Sequence, residues 1–200
     1  MTKVKICGLT RAEDIAIVNR AMPDYIGFVF AQSRRKVDES VAARLKEKLD
    51  LRIEAVGVFI NEDIDTVANL YLSGIIDVVQ LHGDEDNQYI RRLKDQCGCK
   101  VIKAIGVGDA LPDISFDADY LLFDTLSKQR GGIGKAFDWK VLNDYSGTPY
   151  FLAGGLGAGN VGDAIDLLNP FCADVSSGVE TDGLKDAEKI EEFVNRVRGL

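Results

Sequence analysis

Cysteine, histidine, aspartate and arginine are the side chains of this sequence with types suited to proton transfer or anion binding, and they recur at one kind of place. Cys7 closes the run KVKICG (3–8), and Gln80 and His82 close VVQLH (78–82). Asp124 nearly closes YLLFDT (120–125), and Asp174 with Ser176, Ser177 and Gly178 falls in ADVSSG (173–178). Ser33, Arg34 and Arg35 follow YIGFVF (25–30), and Asn61 follows EAVGVF (54–59). Each has a plainer reading. A free cysteine is usually a small buried hydrophobe, Asp124 could cap a turn, and His82 could bond a neighbouring loop. Three successive cations in an acidic chain, Arg34, Arg35 and Lys36, suit an anion better than a solvated face.

Two late glycine-rich stretches point to the same chemistry. LAGGLGAGNV (152–161) contains Gly154 and Gly155 and leads into a helical pattern, and DVSSGVETDG (174–183) follows the last apolar run. Glycines let backbone N–H groups approach an oxygen closely, and a helix N-terminus favours negative charge. A third stretch, QRGGIGKAFDW (129–139), reads as a loop that closes over a ligand, with Gly132 among the residues expected to touch it. No intact dinucleotide-binding or Walker-type motif is present.

These residues need a scaffold. Strand-like runs begin at 3, 25, 54, 78, 101, 120, 149 and 173, several of them apolar on both faces. Between them, helical periods cover 11–21, 39–49, 64–72, 88–96, 161–168 and 187–197, with a shorter stretch at 137–145. Residues 108–119, with Gly108, Pro112 and several acids, have no amphipathic period and predict one turn or a loop. Eight β-then-α units without a linker predict a single (β/α)8 barrel over residues 1–200, with a weak or missing fifth helix. An open doubly wound sheet is the alternative. In a barrel, the strand ends named above share one face, where loops after strands seven and eight bind phosphate.

Composition narrows the partners. The 200 residues are 46% hydrophobic and 28% charged, with net charge −8, which argues against nucleic acid or an anionic membrane surface. No apolar run reaches the ~20 residues of a membrane span, and the N-terminus lacks signal-peptide character. The expected compartment is the cytoplasm, where Cys7, Cys97, Cys99 and Cys172 are thiols. One histidine and no ligand cluster argue against a zinc site. A monomer or homodimer suits this length.

Taken together and in order, the segments KICGLT (5–10), GFVF with SRR (27–35), VGVF with Asn61, VQLHG (79–83), LLFDT (121–125), GGIGKAFDW (131–139), AGGL with Asn160-Val161, and DVSSGVE (174–180) resemble the phosphoribosylanthranilate isomerase family over essentially the whole chain. The resemblance implies an Amadori rearrangement of an aminosugar phosphate in tryptophan biosynthesis. It assigns the general base to Cys7, the general acid to Asp124, the grip on the anthranilate part to Arg35, and the phosphate to the GGL and SSG backbone. It implies no metal or organic cofactor, because the substrate's own amine is the electron sink. Opposite protonation states are then needed, so helix N-termini and cations are expected to favour the Cys7 thiolate and apolar walls the neutral Asp124. Arg34 and Lys36 replace the family's frequent proline and aromatic beside that arginine. Two other readings share the scaffold: a metal-dependent epimerase or Schiff-base aldolase, for which Lys103 would be the lysine, and a non-catalytic phosphosugar-binding barrel.

Overall fold

The computed structural model describes residues 1–112, 114–125 and 137–200. Gly132 and most of the third glycine stretch lie outside them. Eight parallel strands close on themselves in sequence order: β1 (Lys3–Cys7), β2 (Tyr25–Val29), β3 (Glu54–Phe59), β4 (Val78–Leu81), β5 (Lys100–Val107), β6 (Tyr120–Thr125), β7 (Tyr150–Leu152) and β8 (Cys172–Val175). Closure is made by β1 pairing with β8, with Lys5 opposite Asp174.

Among the described residues six helices pack outside: α1 (Ala12–Ala21), α2 (Glu39–Lys46), α3 (Ile64–Leu72), α4 (Asn87–Cys97), α5 (Val161–Leu168) and α6 (Ala187–Arg198). Local chemistry sets their limits. Asp38, Asp63, Asp86 and Asp186 each accept backbone N–H bonds at a helix start. Gly98 and Gly199 end α4 and α6 in the left-handed conformation. Among the described residues no helix joins β5 to β6, as the absent apolar period predicts, and one 3-10 turn, Trp139–Leu142, precedes β7.

Strand alternation divides the core in two. Val4, Ile26, Phe28, Ala55, Val79, Val101 and Phe123 face outward against the helices. Tyr25, Val56, Val78, Ile102, Leu122, Phe151 and Cys172 fill the barrel. Above that plug the inward positions turn polar. The change within single strands, from Val78 to Gln80 and from Leu122 to Asp124, builds a cavity on a rigid floor.

One strand boundary is corrected. Strand eight stops at Val175 rather than Gly178, because Ser177–Val179 winds into a 3-10 turn. The residues that follow form a small antiparallel ribbon, β9 (Glu180–Thr181) with β10 (Leu184–Lys185). Asp182 and Gly183 turn it at φ 52° and 81°, the paired positive φ of a tight hairpin.

Candidate active site

A cavity of about 460 Å³ opens at the carboxyl ends of the strands. Its walls include Cys7, Arg35, Gln80, His82, Asp124, Gly154, Gly155, Asp174, Ser176, Ser177 and Gly178. These expected site residues therefore meet in one place; Gly132 lies outside the described residues, and Asn61 does not line the cavity but is bonded to Asp84 and Glu85.

Cys7 ends β1 with a partly accessible face on this cavity. Burial pushes its thiol above the usual range. Lys5 and Lys185 pull it down and Asp174 pushes it further up. The expectation that cations and helix ends hold a thiolate is thus corrected: the cations are there, but withdrawal from water outweighs them. Asp124 behaves as expected. Burial pushes its carboxyl up to about 6, against the Thr125 N–H that donates to Oδ1 at 2.7 Å. Asp174 raises it further and Lys5 opposes.

Beneath these two runs a polar layer across the barrel. Lys5, with no accessible surface, donates to Asp174 Oδ2 at 2.8 Å and to Gln80 Oε1 at 2.9 Å. Gln80 Nε2 lies 3.1 Å from His82 Nδ1, and His82 Nε2 lies 3.6 Å from Asp124 Oδ2. Lys5 escaped the sequence reading, although its position two residues before Cys7 on one strand puts both on the same face.

The rim carries a second cluster the sequence reading missed. Arg35 grips Glu180 with two bonds, Nε to Oε1 at 2.7 Å and Nη2 to Oε2 at 2.9 Å. Arg34 adds a contact to the same carboxylate at 2.7 Å, and Lys185 another at 2.8 Å. Lys185 also donates to the Ser176 carbonyl. The basic segment after β2 is thereby tied to the ribbon after β8.

The glycine-rich loop after β7 is built for close approach. Gly154 and Gly155 have φ 85° and 70°. A β-carbon on Gly154 would stand 2.8 Å from the Thr125 nitrogen and 3.0 Å from Asp124 Oδ1. Asn160 braces the loop, accepting from the Gly157 N–H and donating to the Gly155 carbonyl. Lys103 is elsewhere. It faces outward from β5 and is paired at 2.9 Å with buried Glu85, so it does not line the cavity.

The family model for N-(5'-phosphoribosyl)anthranilate (PRA) isomerase matches residues 4–196. The chain is 50% identical over 201 residues to an N-(5'-phosphoribosyl)anthranilate isomerase of Endomicrobium trichonymphae, covering 100% of both. It superposes on the crystal structure of phosphoribosyl anthranilate isomerase from Thermotoga maritima with TM-score 0.87 at 35% identity, covering 100% of both chains. A phosphoribosyl anthranilate isomerase solved in complex with reduced 1-(o-carboxyphenylamino)-1-deoxyribulose 5-phosphate gives TM-score 0.84 at 33% identity, again over 100% of both chains.

Proposed function

We propose an acid–base mechanism at this barrel mouth, for the chain belongs to the N-(5'-phosphoribosyl)anthranilate isomerase family and its reaction is the isomerisation that names the family. The reaction is the Amadori rearrangement of N-(5-phosphoribosyl)anthranilate to 1-(2-carboxyphenylamino)-1-deoxyribulose 5-phosphate, a step of tryptophan biosynthesis.

In our reading Asp124 gives its proton to the furanose ring oxygen. The ring opens as the anthranilate nitrogen donates its lone pair, leaving a protonated Schiff base. That cation acidifies C2, and Cys7 removes the C2 proton in its thiolate form, the minor form because burial raises the thiol. The resulting enolamine takes a proton at C1 and loses one from the C2 hydroxyl, giving the ketone. The oxidation of C2 and the reduction of C1 are internal to the substrate and the nitrogen serves as electron sink, so the reading requires neither metal nor organic cofactor. The observation that carries it is that Cys7 and Asp124 face one cavity, where burial raises the carboxyl to about 6. A group with that value still holds its proton in part near neutral pH.

Arg35 takes the anthranilate carboxylate in this scheme. The backbone of Gly154, Gly155 and Gly178, with Ser176 and Ser177, takes the phosphate. The substrate is a small molecule. The cavity is formed within one chain, so a monomer or a homodimer carries the same chemistry. Net charge −8 supports the absence of a nucleic-acid role. No described helix is long and apolar enough to cross a membrane. The cytoplasm is the compartment we assign, and four free thiols suit it. Phosphoribosylanthranilate generated in situ should lose its fluorescence when the folded protein is added. No turnover would reject the reading.

A further inference from the structure

We propose that Lys5 is a positioning residue that acts through Gln80 to hold the His82 ring with its Nε2–H toward Asp124. The inference rests on the acid role of Asp124 proposed above, and it adds what sets the surroundings of that acid.

The argument is one of donors and acceptors. A lysine ammonium donates only. The Gln80 atom 2.9 Å from Lys5 Nζ is therefore the amide oxygen, and the amide nitrogen is the end turned to His82. That –NH2 also only donates, so the ring nitrogen 3.1 Å away, Nδ1, must accept and carries no proton. A neutral imidazole then has its proton on Nε2, the nitrogen 3.6 Å from Asp124 Oδ2.

Each link is fixed by a rigid element. Lys5 and Asp174 are register partners on β1 and β8, and their ion pair at 2.8 Å holds the ammonium in place. Gln80 lies on β4 with almost no accessible surface. At 3.6 Å, Nε2 and Oδ2 are too far apart for a hydrogen bond in this ligand-free geometry. Catalytic contacts of this kind tighten when substrate binds. Once Asp124 has given its proton to the ring oxygen, the carboxylate left behind has an N–H directed at it. The opposite tautomer would present a lone pair there.

His82 is the only histidine, so ring signals of 15N-histidine-labelled protein report it alone. In the free wild-type protein we expect the neutral tautomer with the proton on Nε2. Lys5→Met releases the Gln80 amide and should bring in the Nδ1–H form, with kcat lowered about tenfold to a hundredfold. If loss of the charge beside Asp174 unfolds that variant, Lys5→Met/Asp174→Asn removes the uncompensated carboxylate and gives the same tautomer reading. Gln80→Glu is the independent probe. It keeps an acceptor for Lys5 but turns an oxygen to Nδ1, which should then carry a proton. A wild-type ring protonated on Nδ1 overturns the proposal. So does a tautomer unchanged in both the Lys5 and Gln80 variants, or a moved proton with kcat unchanged. Wild-type protein without turnover would instead defeat the isomerase reading, since the ring signals are recorded without substrate.

Discussion

Arg35 and Glu180 meet fork to fork, two bonds of 2.7 and 2.9 Å joining the segment after β2 to the ribbon after β8. A guanidinium held in this way is pre-oriented, and its planar geometry is one that a carboxylate on a ligand can also meet. The protein's own carboxylate fixes the group that the proposed mechanism assigns to the substrate's carboxylate.

Removing that guanidinium should weaken substrate binding. Arg35→Ala is expected to cost about 2 kcal/mol or more, read mainly as a rise of roughly thirtyfold in KM. Steady-state kinetics on the folded variant checks it. An unchanged KM would move the role to Arg34 or Lys36.

Lys103 provides a contrast, since it is buried and paired but lies outside the cavity. Lys103→Met takes the ammonium from buried Glu85 and leaves its carboxylate the Asn61 and Gly83 N–H donors, a loss of about 3 kcal/mol. Chemical denaturation should show that loss, while activity per folded molecule stays at the wild-type level. Borohydride trapping of substrate on Lys103 would instead restore the aldolase reading.

Residues are legible in the sequence where their type breaks the pattern of the element that carries them. The eight strands were readable because buried parallel strands are short apolar runs, and the missing fifth helix was readable because 108–119 has no helical period. Cys7, His82 and Asp124 stood out because polar types ended those runs. Lys5 was hidden because a lysine inside an apolar strand signals nothing until its register partner, Asp174, is known. Glu180 and Lys185 are hidden because the glycines and serines before them have the composition of a phosphate loop. The Asp182-Gly183 pair is the usual hairpin signal, and the ribbon it makes delivers both charges to the rim. The Cys7 expectation failed on magnitude, since a sequence names the cations but not how far the thiol is withdrawn from water.

The proposed base is open to a direct test. Cys7→Ser keeps the shape but offers a hydroxyl too weakly acidic to supply an anion. We expect kcat to fall by about 10²–10⁴-fold with little change in melting temperature. Turnover within tenfold of the wild type would make Cys7 a packing residue.

Phosphate binding should depend on the backbone after β7. A bulky side chain at Gly155, where φ is 70°, would strain the loop and block the approach of an anion. Titration with inorganic phosphate should show weakened binding in Gly155→Leu, provided circular dichroism shows a folded barrel. Undiminished binding would place the anion elsewhere.

Asp124 ties stability to function with opposite signs. Its carboxyl is pushed from 3.8 up to about 6 in the folded chain. Between those values the native state binds more protons than the unfolded state, so stability falls as pH rises through the interval. The cost is complete above about pH 6 and amounts to roughly 1–3 kcal/mol, the side chain being mostly buried. Asp124→Asn removes the ionisation and retains an acceptor for the Thr125 N–H. The variant should therefore melt at a higher temperature than the wild type at pH 7.5, with the gap closing toward pH 4. Its kcat should fall by about 10²–10⁴-fold. The pH dependence separates acid from bystander. In the wild type, kcat/KM should climb with thiolate up to about pH 6 and then level off, because each further gain in thiolate is offset by loss of protonated Asp124. In Asp124→Asn that offset is gone, and the residual kcat/KM should keep rising above pH 6 toward the raised thiol value of Cys7. A plateau that persists in the variant would mean that another group, such as the substrate phosphate, sets it, and Asp124 would lose the acid role.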